Sequence, residues 1–145
     1  MQALLQRVRD AQVRVDGDLI GEIDAGLLVF LGLEPEDNFA QGQILLERVL
    51  NYRIFADSDG RMNRSLRDAA GGLMLISQFT LAADTRRGLR PGFSTAMAPA
   101  EAEVLFARLF DFALSQHVPL AGGRFGADMQ VSLTNDGPVT FLLQI

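Results

Sequence analysis

The feature that most constrains the fold is an unbroken apolar run that follows a glycine pair and turns polar at its end. The run is Gly72–Ile76, and Ser77 is its first polar residue. Short runs of this kind are typical of strands that are buried on both faces. Because side chains alternate across a strand, we expect Gln78 and Thr80 to share one face, opposite to Phe79. Polar groups at the end of a buried strand need partners or a function, so we predict a site here.

Other apolar segments predict further strands on both sides of this run. They cover residues 2–9, 11–15, 19–23, 25–32, 52–55, 128–134 and 139–145. Residues 16–18 are typical of a turn, so segments 11–15 and 19–23 are predicted to form a hairpin. Residues 61–70 lack a clear periodicity and are interpreted as a loop, and 83–98 form a long connection of the kind that is usually functional or disordered.

Two segments have helical character. One opens at Glu34 with acidic residues in its first turn and extends to about Asn51, and the other begins at Pro99. The inner face of the second is predicted to consist of Ala102, Leu105, Phe106, Leu109 and Ala113. The order of these elements predicts one α/β domain, 1–145. In it, mixed and antiparallel sheets form a barrel-like core with two main helices packed on one side.

The residues that the chain lacks exclude several kinds of chemistry. It has no Cys, no Trp and no Lys, and all 13 Lys or Arg positions are Arg. Thiol nucleophiles, Schiff-base lysines, the Walker phosphate loop and Cys/His zinc sites are therefore excluded. The single histidine, His117, lies just after a predicted helix, and we expect it on the surface. The chain has no nucleophile-elbow motif that would accompany a Ser-His-Asp triad. Catalysis would then use backbone groups, hydroxyls or the substrate itself, with no metal and no cofactor.

The charge is unevenly distributed along the chain. The net charge is −5, but seven Arg stand against four Asp between residues 53 and 90, and the remainder carries −8. A basic surface on an acidic body suits a partner with a few phosphates, although a solvated face of mixed charge explains the count equally well. The chain shows neither a signal peptide nor an apolar segment of membrane-spanning length, and it has no disulfide framework. We expect a cytoplasmic protein.

Each candidate motif also has a purely structural interpretation. Asn135–Pro138 consists of turn residues and, taken alone, is best explained as a turn between two strands. The functional interpretation is that Gly137 lets the backbone approach a ligand closely. Hydrogen bonds within a sheet explain Ser77–Thr80, and a solvated loop explains the cluster of Arg86, Arg87 and Arg90.

Taken together, five blocks in order and spacing resemble the bacterial D-aminoacyl-tRNA deacylases. The blocks are Ser77–Leu81, Ala83–Thr85, the Gly88–Pro91 loop, Gly123–Val131 and Asn135–Thr140. Residues 3–8, 26–29 and 52–55 extend the resemblance over nearly the whole chain. Two positions depart from the family pattern: Arg61 stands where Lys is usual, and Gly92 stands where the family has Ser, which leaves no hydroxyl there.

The resemblance implies a homodimeric hydrolase that cleaves the ester between a D-amino acid, or glycine, and the 3′-terminal adenosine of tRNA. It implies that Ser77–Thr80 line the pocket for this adenosine, and we expect Phe125 and Met129 in the same pocket. Arg86, Arg87 and Arg90 are the candidate tRNA-binding residues. Gly137–Pro138 is expected to be a cis dipeptide that reaches into the partner subunit's site and leaves no room for an L side chain.

The resemblance leaves two catalytic mechanisms open: either Thr80 is the nucleophile, or the 2′-hydroxyl of the RNA activates the reaction. A threonine hydroxyl is a weak nucleophile without an adjacent base. We therefore favour substrate-assisted hydrolysis, with backbone N–H groups around Gln78 and Phe79 as the oxyanion site. A non-catalytic RNA-binding module that uses the Arg53–Arg90 surface is one alternative. A serine-type esterase is another, which the single His and the missing elbow motif disfavour.

Overall fold

Three antiparallel strands open the chain in the computed structural model, which describes residues 1–86 and 88–145. They are β1 (Gln2–Val15), β2 (Asp18–Ile23) and β3 (Gly26–Gly32). β1 pairs with β2 through its second half and with β3 through its first half. The last strand, β8 (Gln130–Gln144), is antiparallel to β1 along almost its whole length. The two ends of the chain therefore meet in one sheet.

The parallel part of the sheet begins at β3. The apolar run forms β6 (Gly72–Ser77), which is parallel to β3 on one side and to β7 (Leu120–Gly122) on the other. β2 and β7 lie at opposite ends of the strand order and pack against each other, so the sheet is nearly closed into a barrel. Residues 72–76 are all buried, which confirms the prediction of a strand covered on both faces.

The two main helices cover the outer face of this sheet. α1 (Phe39–Asn51) and α3 (Pro99–Gln116) pack on each other and on residues such as Leu27, Val29 and Leu75. Alternate residues, among them Leu28, Met74 and Ile76, fill the barrel interior. The buried residues of α3 are the five that were predicted from the sequence. The predicted fold class is confirmed.

Several predicted boundaries are wrong, and local hydrogen bonds give the reasons. α1 begins at Phe39 and not at Glu34, because Asn38 and Gln41 form a reciprocal capping box. Of the predicted strand 52–55, only Phe55 is paired; with Ala56 it forms β4 (Phe55–Ala56), which pairs with β5 (Met62–Arg64). Residues 61–70 are therefore not simply a loop. They also contain the short helix α2 (Leu66–Ala69), whose cap is Ser65.

Two further predictions are corrected near the end of the chain. Segments 128–134 and 139–145 belong to one strand, β8, and are not separated by a turn. His117 caps the C-terminus of α3 but is only 9% exposed, and its Nε2 lies 2.7 Å from the carbonyl oxygen of Gly71. Among the described residues, no helix is long and apolar enough to cross a membrane.

Candidate functional site

The chain leaves the sheet abruptly at the end of β6. The N–H of Gln78 donates to the carbonyl oxygen of Leu31 at 2.8 Å, and Phe79–Ala82 then form a turn of 3₁₀ helix. The predicted strand alternation of residues 77–80 is therefore wrong beyond Ser77. The bend arises because the strand has no β3 partner after Leu31, so the following backbone groups bond locally.

A pocket of about 670 Å³ lies at this bend. Its walls come from the ends of β3 and β6, the segment before α3, the start of α3, and residues 125–131. The structure brings together five of the predicted site residues on its lining: Ser77, Gln78, Phe79, Phe125 and Met129. The lining is mainly apolar, with Asp128 as its one ionisable side chain within the part of the chain that is described. Such a lining suits a partly apolar ligand.

An aromatic pair lines this pocket and is accessible to solvent. The rings of Phe79 and Phe93 have centroids 5.1 Å apart and an interplanar angle of 58°. Phe79 is 58% exposed and Phe93 is 44% exposed, so both rings are accessible to a ligand in the pocket. Phe93 was missed by the sequence analysis. Its signal was an aromatic residue within a long, polar connection.

Thr80 is exposed and is not among the residues that line the pocket. Its hydroxyl oxygen accepts a hydrogen bond from the side-chain amide of Gln78 at 2.6 Å. In the described part of the chain, no carboxylate or imidazole contacts this hydroxyl. An amide N–H donates and cannot remove a proton, so residues 1–86 and 88–145 place no base against the Thr80 hydroxyl.

Free backbone donors occur one residue later than predicted. The N–H of Gln78 is already bonded to Leu31, so it does not serve an oxyanion. The N–H groups of Phe79 and Thr80 open the 3₁₀ helix, and neither has an acceptor within residues 1–86 and 88–145. These two adjacent N–H groups are the donors available to a developing negative charge at the pocket edge.

Gly137 and Pro138 lie in a bulge of β8 and not on the wall of this pocket. β1 residues Gln6 and Val8 pair with Thr140 and Asn135, so four residues of β8 stand opposite Arg7. The Asn135 side chain closes the bulge: its Oδ1 accepts from Val139 N at 2.7 Å, and its Nδ2 donates to Val139 O at 3.2 Å. Gly137 and Pro138 are exposed at its tip, and the peptide bond between them is cis.

Two arginines of β1 fix the base of this bulge. Arg7, whose side chain is 15% exposed, donates from Nε to Asp136 O at 2.8 Å and from Nη1 to Ile54 O at 2.7 Å. Arg9 Nε contacts the Asp136 carboxylate at 3.2 Å. Gly137 has φ +156°, and a Cβ there would lie 2.5 Å from Val139 Cγ2. The segment is thus held on both sides, and glycine is required at its tip.

The predicted tRNA-binding arginines differ in their surroundings. Arg86 is tied to Asp84 by bonds of 2.8 Å from both Nε and Nη2. The bonds from the Arg86 side chain and backbone hold the pKa of the Asp84 carboxyl well below its usual range, and the pKa of Arg86 is raised. Arg90 is exposed. Arg87 lies outside the described residues.

Within the residues that the structure describes, no three His, Asp or Glu side chains come together as a metal site. A nearly closed mixed barrel, with an apolar pocket at the end of a parallel strand, defines the class as a compact α/β protein with a strand-end pocket. The sequence model of the D-Tyr-tRNA(Tyr) deacylase family matches residues 4–144. The chain belongs to this family and is a hydrolase, as the resemblance predicted.

Similar proteins match over their full length. A protein of Pseudomonas putida strain F1 named D-aminoacyl-tRNA deacylase is 60% identical over 145 residues, which are 100% of both chains. A protein of the same name from Stutzerimonas stutzeri strain A1501 is 59% identical over 144 residues, 99% of each.

Two solved structures are also similar. One, described as c-Myc DNA Unwinding Element Binding Protein, is 35% identical with a TM-score of 0.95, covering 100% of this chain and 99% of the other. The other, described as a probable eukaryotic D-amino acid tRNA deacylase, has a TM-score of 0.86 at 14% identity and covers 99% and 98%. The second likeness concerns the fold alone.

Proposed function

We propose that the protein hydrolyses the ester bond between a D-amino acid, or glycine, and the 3′-terminal adenosine of tRNA. The pocket at the end of β6, with its exposed aromatic pair, is the observation that carries this proposal. The names of the full-length relatives agree with it. The reaction takes place in the cytoplasm and frees tRNA that carries the wrong enantiomer.

The pocket suits the terminal adenosine of the substrate. Single-stranded RNA ends are recognised by stacking their bases on aromatic side chains. Phe79 and Phe93 offer such faces, while Ser77 and Gln78 supply polar groups next to them. Phe125 and Met129 complete the apolar part of the wall. Arg90 is the better placed of the described loop arginines for a phosphate, since Arg86 is already paired with Asp84.

Catalysis in this proposal relies on the RNA and on backbone donors. A water oxygen bonds to the ester carbonyl carbon, assisted by the 2′-hydroxyl of the adenosine. The resulting oxyanion accepts hydrogen bonds from the N–H groups of Phe79 and Thr80. The bond to the ribose 3′-oxygen then breaks, and this oxygen takes up the proton that the attacking water has lost. The products are the free amino acid and tRNA.

Enantiomer selection in this proposal depends on a second copy of the chain. Gly137 and Pro138 are exposed, project from β8 and do not line the pocket of their own chain. In a homodimer they enter the partner's pocket and fill the space that an L side chain needs. A pocket that merely prefers one shape discriminates by only about 1–3 kcal/mol, whereas a fixed backbone that clashes with the side chain excludes it more strongly.

A paired deacylation assay tests the proposal. Purified protein is incubated with D-tyrosyl-tRNA and with L-tyrosyl-tRNA, and the released tyrosine is measured. We expect release from the D form and sparing of the L form. Equal rates on the two substrates contradict the chiral mechanism. Binding of both substrates without turnover supports the RNA-binding alternative. Turnover of simple esters without RNA supports the small-molecule esterase.

A further inference from the structure

We propose that the β4–β5 hairpin, residues 53–64, is a second RNA-binding surface that contacts phosphates of the tRNA acceptor stem. The contacted tRNA is the one whose 3′ end occupies the partner subunit's pocket. This inference rests on the proposed function, because it uses the cross-subunit position of Gly137 and Pro138. It adds a surface outside the pocket and identifies the subunit that supplies it.

The first step is the physical link between the hairpin and the Gly137–Pro138 segment. The guanidinium group of Arg7 donates to Ile54 O at 2.7 Å, at the base of the hairpin, and to Asp136 O at 2.8 Å. One planar group therefore touches both segments, and its side chain is only 15% exposed. If Gly137 and Pro138 enter the partner subunit's pocket, the hairpin therefore lies beside the opening of that pocket.

The second step is the charge on the hairpin. Arg53, Arg61 and Arg64 are all exposed. Arg53 donates to the main-chain oxygen and to Oδ1 of Asn63, at 2.9 and 2.6 Å, and Arg64 donates to the main-chain oxygen of Asp68. These acceptors are neutral. The Asp68 carboxylate, whose pKa is lowered mainly by Ser65 and also by the charges of Arg64 and Arg53, forms no salt bridge with either guanidinium group. The Arg61 side chain has no hydrogen-bond partner among the described residues.

Arg67, just beyond the hairpin, provides the contrast. It forms two bonds to the carboxylate of Glu47, at 2.9 and 3.1 Å, so its charge is compensated. The three hairpin arginines differ from it in having no carboxylate partner within residues 1–86 and 88–145. Guanidinium groups of this kind bind phosphate oxygens with paired hydrogen bonds. This chemistry favours an RNA backbone over an apolar protein surface.

The third step is the rigidity of the hairpin turn. Asp57 accepts from the N–H groups of Asp59 and Arg61, both at 2.9 Å, and from Nδ2 of Asn63 at 2.7 Å. Its carboxylate is therefore engaged within the turn. The backbone that carries Arg61 is thus fixed before a ligand binds, which reduces the entropy lost on binding.

The test compares a long substrate with a short one. Values of kcat/KM are measured for D-tyrosyl-tRNA and for D-tyrosyl-adenosine, which lacks the acceptor stem. The proteins compared are the wild type, Arg61→Gln, the double variant Arg61→Gln/Arg64→Gln, and the control Arg67→Gln. For the double variant, we expect kcat/KM on D-tyrosyl-tRNA, divided by kcat/KM on D-tyrosyl-adenosine, to fall by about tenfold. The slope of log affinity for tRNA against log salt concentration should decrease in magnitude by roughly 0.9 for each phosphate that is no longer neutralised. Arg61→Gln removes no hydrogen bond that supports the fold and shows a smaller fall. An unchanged ratio, or an equal fall with Arg67→Gln, overturns the proposal.

Mixed dimers identify the subunit. In a dimer in which one subunit carries the pocket-filling change Ala96→Trp, only the other subunit's pocket works. We expect Arg61→Gln to lower activity on tRNA when it is on the Ala96→Trp subunit, which supplies the bulge to the working pocket. An effect only from the opposite placement overturns the assignment.

Direct binding separates failure of this inference from failure of the proposed function. Fluorescence anisotropy with uncharged tRNA requires no catalysis, so it reads the hairpin surface even if neither aminoacyl substrate is hydrolysed. We expect weaker binding for Arg61→Gln/Arg64→Gln than for Arg67→Gln. Equal affinities overturn the hairpin surface, whatever the deacylation assay gives.

Discussion

Single side chains shape the candidate site mainly by bonding to the backbone. Asn135 bonds both the N–H and the carbonyl of Val139, so β8 leaves its partner strand and returns to it within a few residues. Arg7 then supports the bulge from below through Asp136 O. The tip of the bulge carries little of this bonding itself, which leaves Gly137 and Pro138 free to contact a ligand or partner.

The role of Thr80 can be tested by removing its hydroxyl. We expect Thr80→Ala to retain substantial activity on D-tyrosyl-tRNA, because the hydroxyl contacts only the Gln78 amide donor and its backbone N–H remains in place. For a group that is not the nucleophile, we expect the deacylation rate to fall by less than about tenfold. Single-turnover deacylation rates measure it.

Circular dichroism and thermal unfolding of Thr80→Ala provide the control for folding. Thr134→Ala, at an exposed position of β8, is the matched change of a threonine outside the pocket. Complete loss of activity in Thr80→Ala, with the fold and the control intact, restores Thr80 as the nucleophile.

The sequence did not reveal how several of the candidate residues are held. Asn135 and Asp136 were assigned to a turn, because turns and bulges use the same residue types for the same conformational reasons. His117 was expected on the surface, since nothing in its neighbours along the chain reveals the distant carbonyl of Gly71. Phe93 belongs to the pocket only through the path of a long connection.

At the scale of elements, the contact between α1 and α3 depends on one glycine. A Cβ on Gly42 would lie 2.4 Å from Leu109 Cδ2 and 2.8 Å from Cδ1. Leu109 is fully buried, so its side chain has little space to yield. The missing side chain at Gly42 therefore allows the two helices to approach closely over the sheet.

This contact predicts that Gly42→Ala destabilises the protein. Helix propensity alone favours alanine by about 1 kcal/mol. Overpacking a buried contact costs about 1–3 kcal/mol, and we expect this cost to exceed the gain. The free energy of unfolding, measured by urea denaturation, should therefore decrease.

A double-mutant cycle provides the control for Gly42→Ala. Leu109→Ala alone should cost about 2–5 kcal/mol because it creates a cavity. In that background Gly42→Ala fills space and should be stabilising. The same effect of Gly42→Ala in both backgrounds contradicts a direct contact between the two positions.

Elements with a clear periodicity were predicted well, and those that depend on pairing were not. The five buried residues of α3 follow a helical repeat and were identified from the sequence. β5 and β7, of three residues each, are too short to show an alternation, and they exist because neighbouring strands offer bonds. The continuity of β8 was missed because glycine and proline within it indicate an interruption.

At the scale of the whole molecule, acidic groups couple stability to pH. Interactions lower the pKa of five carboxylates: Glu34, Glu47, Asp57, Asp68 and Asp84. The leading causes are hydrogen bonds from Gln2, Arg67, Asn63, the Ser65 backbone and Arg86, respectively. Since each folded pKa lies below the ordinary values of 4.5 for Glu and 3.8 for Asp, these groups stabilise the fold above those values.

We therefore expect the melting temperature to fall as the pH is lowered through about 4.5 and further below 3.8, where the folded carboxylates take up protons. Thermal unfolding monitored by circular dichroism between about pH 7 and 2.5 measures this dependence. Asp84→Asn, which removes the pair with Arg86, should make the fall less steep. Glu103→Gln changes an exposed residue of α3 and is the matched control; an equal effect of both variants contradicts the assignment.

The pairing of β1 with β8 has a consequence for how the chain is made. A ribosome adds about 5–20 residues per second, so β1 emerges roughly 6 to 25 seconds before its long partner. During synthesis that flank of β1 has no strand to bond, and closing the sheet requires a loop that spans almost the entire polypeptide. Sheets joined by such distant segments form in milliseconds to seconds. The barrel is therefore completed only after the final strand has left the ribosome.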